Sequence, residues 1–454
     1  MAVTGAEKRA KVGIPTSASR GSGLLEESGL GGVGTTIDLE VADRRPESDG
    51  LPGVRVGPAM LALALGGFSI GTTEFATMGL LPQITADLHV SIPVAGHVIT
   101  MYALGVVVGA PLLTAAAARV DRRVLLMALM VAFTVGNVLS AFAPSVGWLM
   151  AARFVAGLPH GAFFGVGAVM GTAVVGPSRR GRAVATMMAG LTIANVVGVP
   201  LSTLVGQNAS WRAAFVLVGV LGFVTLGALW RWVPGLGAHP EATVGTELRA
   251  LRSTQLWTAF AASAIGFGGM FAVYSYVAPL ITGVTGLSAA TVPIVLALFG
   301  LGMTAGTLLG GRLADRSVVR TVYLGMVSTA GVLVLIALTG RQPVLALSAI
   351  VLLGVTSQIL GLALQTRLMD LTPAAPSLGA ALCHSALNLG NAAGAFLGGL
   401  VIARGFGYLA PAWVGAGLTL AGLVIIATIG RAPGPADRVI SPGLHEPRPA
   451  ARAS

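Results

Sequence analysis

Gly302–Arg316 reads GMTAGTLLGGRLADR, a glycine-spaced apolar run that ends in a short charged segment. Part of this pattern occurs earlier in the chain, at an offset of 197 residues. The matched pairs are Gly105 and Gly302, Gly109 and Gly306, Leu112 and Leu309, Arg119 and Arg316, and Gly157 and Gly354. At an offset of 196, Asn195, Gly198 and Leu201 recur as Asn391, Gly394 and Leu397. Matches in one order and at a nearly constant offset predict two related halves.

The composition is that of a membrane protein. Of 454 residues, 54% are hydrophobic and only 10% are charged, and the mean hydropathy is +0.84. Soluble domains carry about a quarter charged residues, so a water-exposed surface cannot be built from this composition. The net charge of +11 would also suit a nucleic-acid-binding protein, but here the arginines cluster between apolar runs, as membrane topology requires.

Twelve apolar runs follow one another from Gly57 onward. Each reaches the roughly 20 residues that a helix needs to cross the hydrocarbon core of a bilayer. We number them spans 1 to 12, and they cover approximately residues 57–81, 94–116, 124–143, 146–171, 184–206, 212–233, 256–282, 289–311, 319–340, 343–366, 377–403 and 406–430. The sequence therefore predicts an all-α polytopic membrane protein with two six-helix halves.

The distribution of arginine predicts the orientation. If both termini are cytoplasmic, thirteen arginines fall in cytoplasmic turns: Arg119, Arg122, Arg123, Arg179, Arg180, Arg182, Arg231, Arg249, Arg252, Arg312, Arg316, Arg320 and Arg367. The outer turns then hold three, namely Arg212, Arg341 and Arg404. Positive residues accumulate in cytoplasmic loops, so we expect both termini on the cytoplasmic side.

The remaining segments are short and polar. Residues 1–56 and 431–454 are predicted to be disordered cytoplasmic tails, and residues 234–255 to link the halves 57–233 and 256–430 along the cytoplasmic face. An over-extended start codon would explain residues 1–56 equally well. The single cysteine, Cys383, excludes an internal disulfide and any multi-cysteine metal site, and we expect no metal and no cofactor.

The turn after span 8 reads Gly311-Arg312-Leu313-Ala314-Asp315-Arg316 and is followed by Arg320. It resembles the G-x-L-A-D-R-x-G-R-[KR] loop signature of the major facilitator superfamily. The copy after span 2 differs, with Thr114 for the first glycine, Ala118 for the aspartate and Asp121 for the second glycine. The resemblance implies that charged residues in both turns gate the cytoplasmic side, with Asp121 replacing the missing aspartate. These residues are Arg119, Asp121, Arg122, Arg123, Asp315, Arg316 and Arg320.

Spans 4 and 5 carry two further motifs of this superfamily. Arg153-x3-Gly157-x3-Gly161 is similar to its fourth-helix motif. The run from Gly190 to Pro200 looks like a degenerate form of the fifth-helix antiporter motif, because Val199 separates Gly198 from Pro200. Small residues in such motifs let helices approach closely. The expected helix-packing residues are Gly157, Gly161, Asn195, Gly198, Pro200 and Asn391.

Five other segments narrow the resemblance. They are GTTEF (Gly71–Phe75), GLLPQI (Gly79–Ile84), GAPLL (Gly109–Leu113), HGAFFGVGAV (His160–Val169) and YSYVAP (Tyr274–Pro279). With them the chain resembles the twelve-span drug:proton antiporter branch, and within it the chloramphenicol exporters and the arabinose or sugar efflux proteins. The resemblance implies a transporter of the bacterial plasma membrane that works as a monomer, and not an enzyme.

Glu74 is the candidate proton carrier. It is the only acidic residue inside the predicted spans, since Asp87, Asp315 and Asp370 are assigned to turns. An ionisable residue within a membrane is costly and marks function by default. Arg153 is expected to line the same half and to pair with Glu74 in one state. The alternatives are a structural, protonated glutamate and an arginine that snorkels to the outer interface.

Polar and aromatic residues in the spans are candidates for the substrate site. His160, Tyr274, Tyr276, Gln358, His384 and Asn388 are the expected substrate-binding residues. Tyr274 and Tyr276 are two residues apart and cannot face one direction, so one of them is expected to pack against a helix. His160 would equally suit a hydrogen-bonded packing role. Gln365 shares a stripe with Gln358, and polar stripes also hold helices together.

These features predict a proton-driven exporter of a small, drug-like, chloramphenicol-like molecule that works by alternating access. The chain lacks the G-x4-G-K-[ST] motif of ATP-driven proteins. An exporter or facilitator of sugars or nucleoside-like metabolites with the same fold is the alternative. A membrane-embedded enzyme or sensor is a distant one, because the histidines are too isolated to form a catalytic set.

Overall fold

The computed structural model describes residues 54–116, 120–236, 251–373 and 376–429. Within them, twelve helices or interrupted helices are long and apolar enough to cross a membrane, which confirms the predicted twelve spans. The predictions for both tails, for Arg119 and for most of the linker between the halves lie outside the described residues.

The helices of the two halves follow the predicted order. The first half comprises Val56–Leu88, Ile92–Ala116, Arg122–Ala141, Val146–Gly157 with His160–Val175, Arg180–Ile193 with Val199–Asn208, and Trp211–Trp232. The second half comprises Thr254–Tyr274 with Val277–Gly283, Val292–Arg316, Val318–Thr339, Pro343–Asp370, Pro376–Ala403 and Ala410–Ile429.

Several helices extend beyond the apolar runs that predicted them. Asp87, Asp315 and Asp370 were assigned to turns, but each lies in the last turn of a helix. The reason is that hydropathy marks the membrane boundary, whereas backbone hydrogen bonds continue a helix past it into polar surroundings. Glu74 is nevertheless the one acidic residue in the middle of a described span.

Three spans are interrupted, which the sequence analysis did not predict. Span 4 breaks before Pro159, whose ring nitrogen has no hydrogen to donate to the preceding turn. Span 5 contains a π-helical segment, Ala194–Gly198, just before Pro200. Span 7 breaks at Ser275 and Tyr276. Irregular backbone at membrane depth is tolerated where protein covers it, and Tyr276 is indeed buried.

The internal repeat is present as repeated backbone contacts. A methyl group on Gly105 would overlap the carbonyl oxygen of Phe154, and one on Gly157 would overlap that of Tyr102. The same contacts occur 197 residues later, between Gly302 and Val351 and between Gly354 and Phe299. Spans 2 and 4 therefore pack in the first half as spans 8 and 10 pack in the second.

We call the end of the molecule that bears Arg122, Arg180 and Arg316 the arginine-rich end, and the other end, which bears Asp87 and Arg212, the opposite end. Buried apolar residues of both halves form one core, to which the first half contributes residues toward the opposite end. Toward the arginine-rich end, each half has a separate apolar cluster. The halves are thus packed together at the opposite end and separated at the arginine-rich end.

Asp121 caps the helix of span 3. Its Oδ1 accepts hydrogen bonds from the backbone N–H of Arg123 at 2.9 Å and of Val124 at 3.1 Å, and its Oδ2 accepts one from Leu236 at 2.9 Å. The gating role inferred for Asp121 remains a prediction. The observed contacts give it a structural role, because they attach the chain that follows span 6 to the start of span 3.

We therefore expect Asp121→Ala to lower the stability of the folded protein by about 1 kcal/mol, the usual effect of removing a helix cap. Asp121→Asn keeps one acceptor oxygen and should lose less. Thermal unfolding in detergent would measure both, with Asp315→Ala, a change at an exposed helix end, as the control. Equal unfolding temperatures for all three variants would contradict the capping role.

Candidate functional site

Arg153 is the best-connected polar residue inside the first half. Its Nη1 donates to Thr73 Oγ1 at 2.7 Å and to Asn137 Oδ1 at 3.3 Å, and its Nη2 donates to the Thr73 carbonyl at 2.9 Å. Its side chain is 0% exposed, so it does not snorkel to an interface. Arg153 thereby ties span 4 to spans 1 and 3.

Aromatic rings complete the surroundings of Arg153. The guanidinium carbon lies 4.3 Å from the ring centre of Tyr102 and 5.3 Å from that of Phe215. Such stacking is attractive for a desolvated cation. The Nε of Arg153 has no hydrogen-bond partner among the described residues. One donor of the guanidinium is therefore available to an acceptor that is not in place in this conformation.

Glu74 lies next to Thr73 in span 1 and is buried, with 7% of its surface exposed. Among the described residues its carboxyl group makes no hydrogen bond, and the one ion pair present joins Arg212 to Asp87 at the opposite end. The expected pair between Glu74 and Arg153 is not formed here. Arg153 instead binds the neighbouring Thr73. Successive residues of a helix point about 100° apart, so the side chains of Thr73 and Glu74 face different directions.

A row of rings connects Arg153 to the space between the halves. The hydroxyl of Tyr102 is hydrogen-bonded to Nδ1 of His160 at 3.1 Å. The His160 ring lies 5.3 Å from the ring of His384, which belongs to the second half. His384 in turn stacks on Phe164 at 5.1 Å. Two of the predicted site residues, His160 and His384, thus meet across the boundary between the halves.

A cavity of about 540 Å³ lies between the halves at the arginine-rich end. Its lining residues come from spans 3, 4 and 5 and the segment after span 6 on one side, and from spans 10 and 11 on the other. They are Arg122, Phe164, Gly165, Ala168, Val169, Thr172, Ala173, Arg180, Val184, Met187, Met188, Leu236, Gln365, Met369, Ala380 and His384. The volume is typical of sites for drug-sized molecules.

Of the six predicted substrate-binding residues, His384 alone lines this cavity. His160 lies behind it, hydrogen-bonded to Tyr102. Asn388 is buried, and its Nδ2 donates to the His384 carbonyl at 3.1 Å. Gln358 packs beside Gly306 of span 8, and Gln365 on the same stripe reaches the cavity instead.

Tyr274 and Tyr276 belong to the closed region near the opposite end. Tyr274 stacks on Phe299 with ring centres 3.9 Å apart and contacts Phe75 of the first half edge-on. Tyr276 donates its hydroxyl hydrogen to the Ala395 carbonyl at 2.6 Å. Both rings are buried, so in this conformation neither offers a wall to the cavity.

The hydroxyl of Tyr276 also fills the space beside Gly96 of span 2, which belongs to the first half. A methyl group on Gly96 would overlap this hydroxyl. Overpacking of this kind costs typically about 1–3 kcal/mol. We therefore expect Gly96→Ala to disfavour closure of the opposite end and to shift the protein at least about fivefold toward the state that is open there.

A cysteine at Gln365, in a Cys383→Ser background, would report this shift, because Gln365 lines the cavity at the arginine-rich end. Its labelling by a thiol reagent should slow when Gly96→Ala is added. Adding Tyr276→Phe removes the atom that the methyl group strikes and should restore part of the rate. Unchanged labelling in Gly96→Ala would show that this contact does not control closure.

The predicted gating residues separate into two groups. Asp315, Arg316 and Arg320 are exposed around the turn after span 8. Arg122 reaches the cavity, and Arg123 donates to the Trp230 carbonyl. Two of the predicted packing residues are glycines in close contacts: Gly161 lies against Ala110 and the His384 side chain, and Gly198 against Thr72. Asn195 and Asn391 are buried, and neither side chain has a full set of partners among the described residues.

The sequence analysis missed several residues of this site. Thr73, Tyr102 and Asn137 surround Arg153, and Phe164 covers His384. A signal was present for two of them, since Asn137 and Tyr102 are the only amide and the only phenol of spans 3 and 2. Polar groups are rare within apolar spans, which makes each a candidate for a buried contact.

Comparison with known proteins points to the same family that the sequence motifs resemble. Residues 63–379 and 270–452 match the family model described as Major Facilitator Superfamily. The chain is 41% identical to the inner membrane transport protein YdhP of Escherichia coli K12, over 82% of this chain and 95% of that protein. It is 35% identical to the putative transporter AraJ of the same organism, with the same shares covered.

Two further similarities bear on function and on fold. The chain is 33% identical to a chloramphenicol resistance protein of Streptomyces lividans, over 80% of this chain and 94% of that protein. Among solved structures, the human organic anion transporter MFSD10 (TETRAN) superposes with a TM-score of 0.62 over 82% of this chain and 98% of that one. At 15% identity, this last similarity concerns the fold alone.

Proposed function

The chain belongs to the Major Facilitator Superfamily, and we propose that it is a proton-driven exporter of small, drug-like molecules in the bacterial plasma membrane. The family consists of transporters, so the enzyme or sensor interpretation is set aside. A small-molecule substrate and a lipid bilayer follow from membership. Export, proton coupling and a monomeric state belong to the proposal.

The observation that carries the proposal is Glu74, which is buried beside the Arg153 cluster and makes no hydrogen bond or ion pair with a described residue. A carboxylate without a partner at membrane depth is expensive, whereas the protonated form is tolerated. The free Nε of Arg153 offers a charge-assisted hydrogen bond to the ionised form. Binding and release of a proton would thus switch Glu74 between a protonated form without an ion pair and an ionised form that pairs with Arg153.

A structural path links this switch to the cavity. Any movement of Arg153 changes its stacking on Tyr102, and Tyr102 holds His160 through its hydroxyl. His160 contacts His384, which lines the cavity from the second half. Substrate in the cavity and the charge on Glu74 can therefore influence each other, as coupled transport requires.

The state of the cavity fits alternating access. It lies at the arginine-rich end, which the positive-inside rule assigns to the cytoplasm, while the opposite end is closed by a core shared between the halves. We interpret this conformation as open to the cytoplasm and ready to load substrate. Protonation of Glu74 from outside, after the halves have rocked, would displace the substrate, and proton release inside would reset the carrier.

A chloramphenicol-like substrate is favoured by the apolar lining, which includes Phe164 and three methionines, and by the similarity to the chloramphenicol resistance protein. Export or facilitated passage of sugars or nucleoside-like metabolites is the second candidate. The similarity to AraJ and the hydroxyl and amide groups of Thr172 and Gln365 in the cavity favour it.

Purified protein in acid-inside proteoliposomes should accumulate labelled chloramphenicol against its gradient. An exchange of protons for substrate predicts that nigericin, which dissipates the pH gradient, abolishes the accumulation. Labelled arabinose and uridine tested in parallel distinguish the second candidate. Equilibration of a substrate without pH-driven accumulation would indicate a facilitator and contradict the exporter.

A further inference from the structure

Among the described residues, the cavity is lined by positively charged side chains and by no negatively charged one. Arg122 enters it from the start of span 3 and Arg180 from the start of span 5, and its lining contains neither aspartate nor glutamate. Arg122 is half-buried and Arg180 is exposed. Both lie on the first-half side of the cavity, facing Gln365, Met369 and His384 of the second half.

Two described carboxylates, Asp121 and Asp370, lie near the cavity in sequence but do not line it. Asp121 precedes Arg122 directly, yet its two oxygens bind the backbone of Arg123, Val124 and Leu236. Asp370 follows the lining residue Met369 but is itself exposed and outside the lining. Neither Arg122 nor Arg180 makes an ion pair within the described part of the chain. A ligand therefore meets two cations that carboxylates of the lining do not neutralise.

The rest of the lining is apolar and adaptable. Phe164 offers an aromatic face, and Met187, Met188 and Met369 have flexible thioether side chains that fit irregular apolar shapes. Arg side chains recognise carboxylates with paired, charge-assisted hydrogen bonds. The cavity thus joins an apolar surface to an anion-binding edge at the arginine-rich end.

From this arrangement we infer that the preferred substrate is an amphipathic anion, a drug-sized apolar body that carries a carboxylate or a comparable acidic group. This inference rests on the export function proposed above and specifies its substrate class. The apolar body lies against Phe164 and the methionines. The acidic group lies between Arg122 and Arg180. Cationic compounds of the same size are disfavoured, because they would bring a third positive charge to the site.

Three compounds with one common body test the charge preference: chloramphenicol, its anionic succinate ester and its cationic glycinate ester. In wild-type proteoliposomes we expect kcat/KM to be highest for the succinate and lowest for the glycinate. In Arg180→Gln and Arg122→Gln, the ratio of kcat/KM for succinate to that for chloramphenicol should fall about tenfold or more, since a charged hydrogen bond is lost. Arg180→Glu should favour the glycinate.

Arg182→Gln is the matched control, because Arg182 is an exposed arginine at the same end that lies outside this cavity. Its ratio should equal that of the wild type. Membrane potential acts on charged substrates by itself, but equally in every variant, so comparison of ratios removes it. Size-exclusion profiles of all variants show whether the protein is folded.

The outcomes separate the two proposals. If wild-type protein accumulates none of the three compounds and no sugar or nucleoside, the export function itself fails. If it accumulates chloramphenicol but shows no preference for the succinate, and the arginine variants keep the wild-type ratio, the substrate class alone is wrong. A fall of the ratio in Arg182→Gln as large as in Arg180→Gln would also contradict it, because general surface charge would then account for the preference.

Discussion

Replacement of Glu74 by glutamine is expected to abolish accumulation of substrate against its gradient. Glutamine has nearly the same shape and retains hydrogen-bonding groups, but it cannot bind and release a proton. Glu74 is the one acidic residue in the middle of a described span, so no other described side chain at that depth is placed to replace it. Exchange of labelled for unlabelled substrate, which needs no proton, should continue.

Acid-inside proteoliposomes measure the driven reaction, and counterflow with substrate on both sides measures the exchange. Glu74→Asp is the matched control, because it retains a titratable group one methylene shorter and should preserve part of the driven transport. If Glu74→Gln still accumulates substrate in response to a pH gradient, Glu74 does not carry the proton.

The second large effect is expected for Arg153→Lys. Lysine keeps the positive charge, but it offers a single nitrogen in place of the planar fork with which Arg153 reaches both Thr73 Oγ1 and the Thr73 carbonyl. It also loses the flat stacking on Tyr102. A hydrogen bond from a charged group contributes about 1.5–3 kcal/mol, so loss of one should lower proton-driven transport by about tenfold or more.

Arg212→Lys is the control for this change. Arg212 pairs with Asp87 at the opposite end, where both side chains are partly exposed, and exposed ion pairs contribute only about 0–1 kcal/mol. Transport by Arg212→Lys should stay within about twofold to fivefold of wild type. Transport by Arg153→Lys at the level of this control would contradict the positioning role of the guanidinium, provided that both variants are folded.

The spans, the repeat and the two buried charges could be predicted from the sequence because each depends on local composition. A membrane span satisfies its own backbone hydrogen bonds, so hydropathy alone locates it. Glu74 and Arg153 are conspicuous because ionisable residues are rare in such runs. The structure places Arg153 of span 4 in a hydrogen-bonded cluster with Thr73 of span 1 and Asn137 of span 3.

Contacts between spans could not be predicted. Arg153 is predicted to pair with Glu74 in one state, and this stays a prediction. In the present conformation Arg153 binds Thr73, one residue earlier, and a sequence does not fix the rotation of a helix closely enough to distinguish the two residues. Tyr274 and Tyr276 are buried in the closed region in this conformation, so their predicted contact with substrate stays a prediction. Gln365 lines the cavity and Gln358 does not. The depth of the cavity depends on how far the halves have separated, which a sequence does not show.

The duplicated glycine contacts also carry information about how the two halves diverged. Gly105 and Gly302 each press against a carbonyl oxygen, contributed by Phe154 in one half and by Val351 in the other. Because the partner contributes only a main-chain atom, its side chain could change from an aromatic ring to a branched aliphatic group without loss of the contact. The glycine had no such freedom, since a single added carbon would collide with the oxygen. The copies have therefore drifted apart at the partner positions and stayed alike at the glycines.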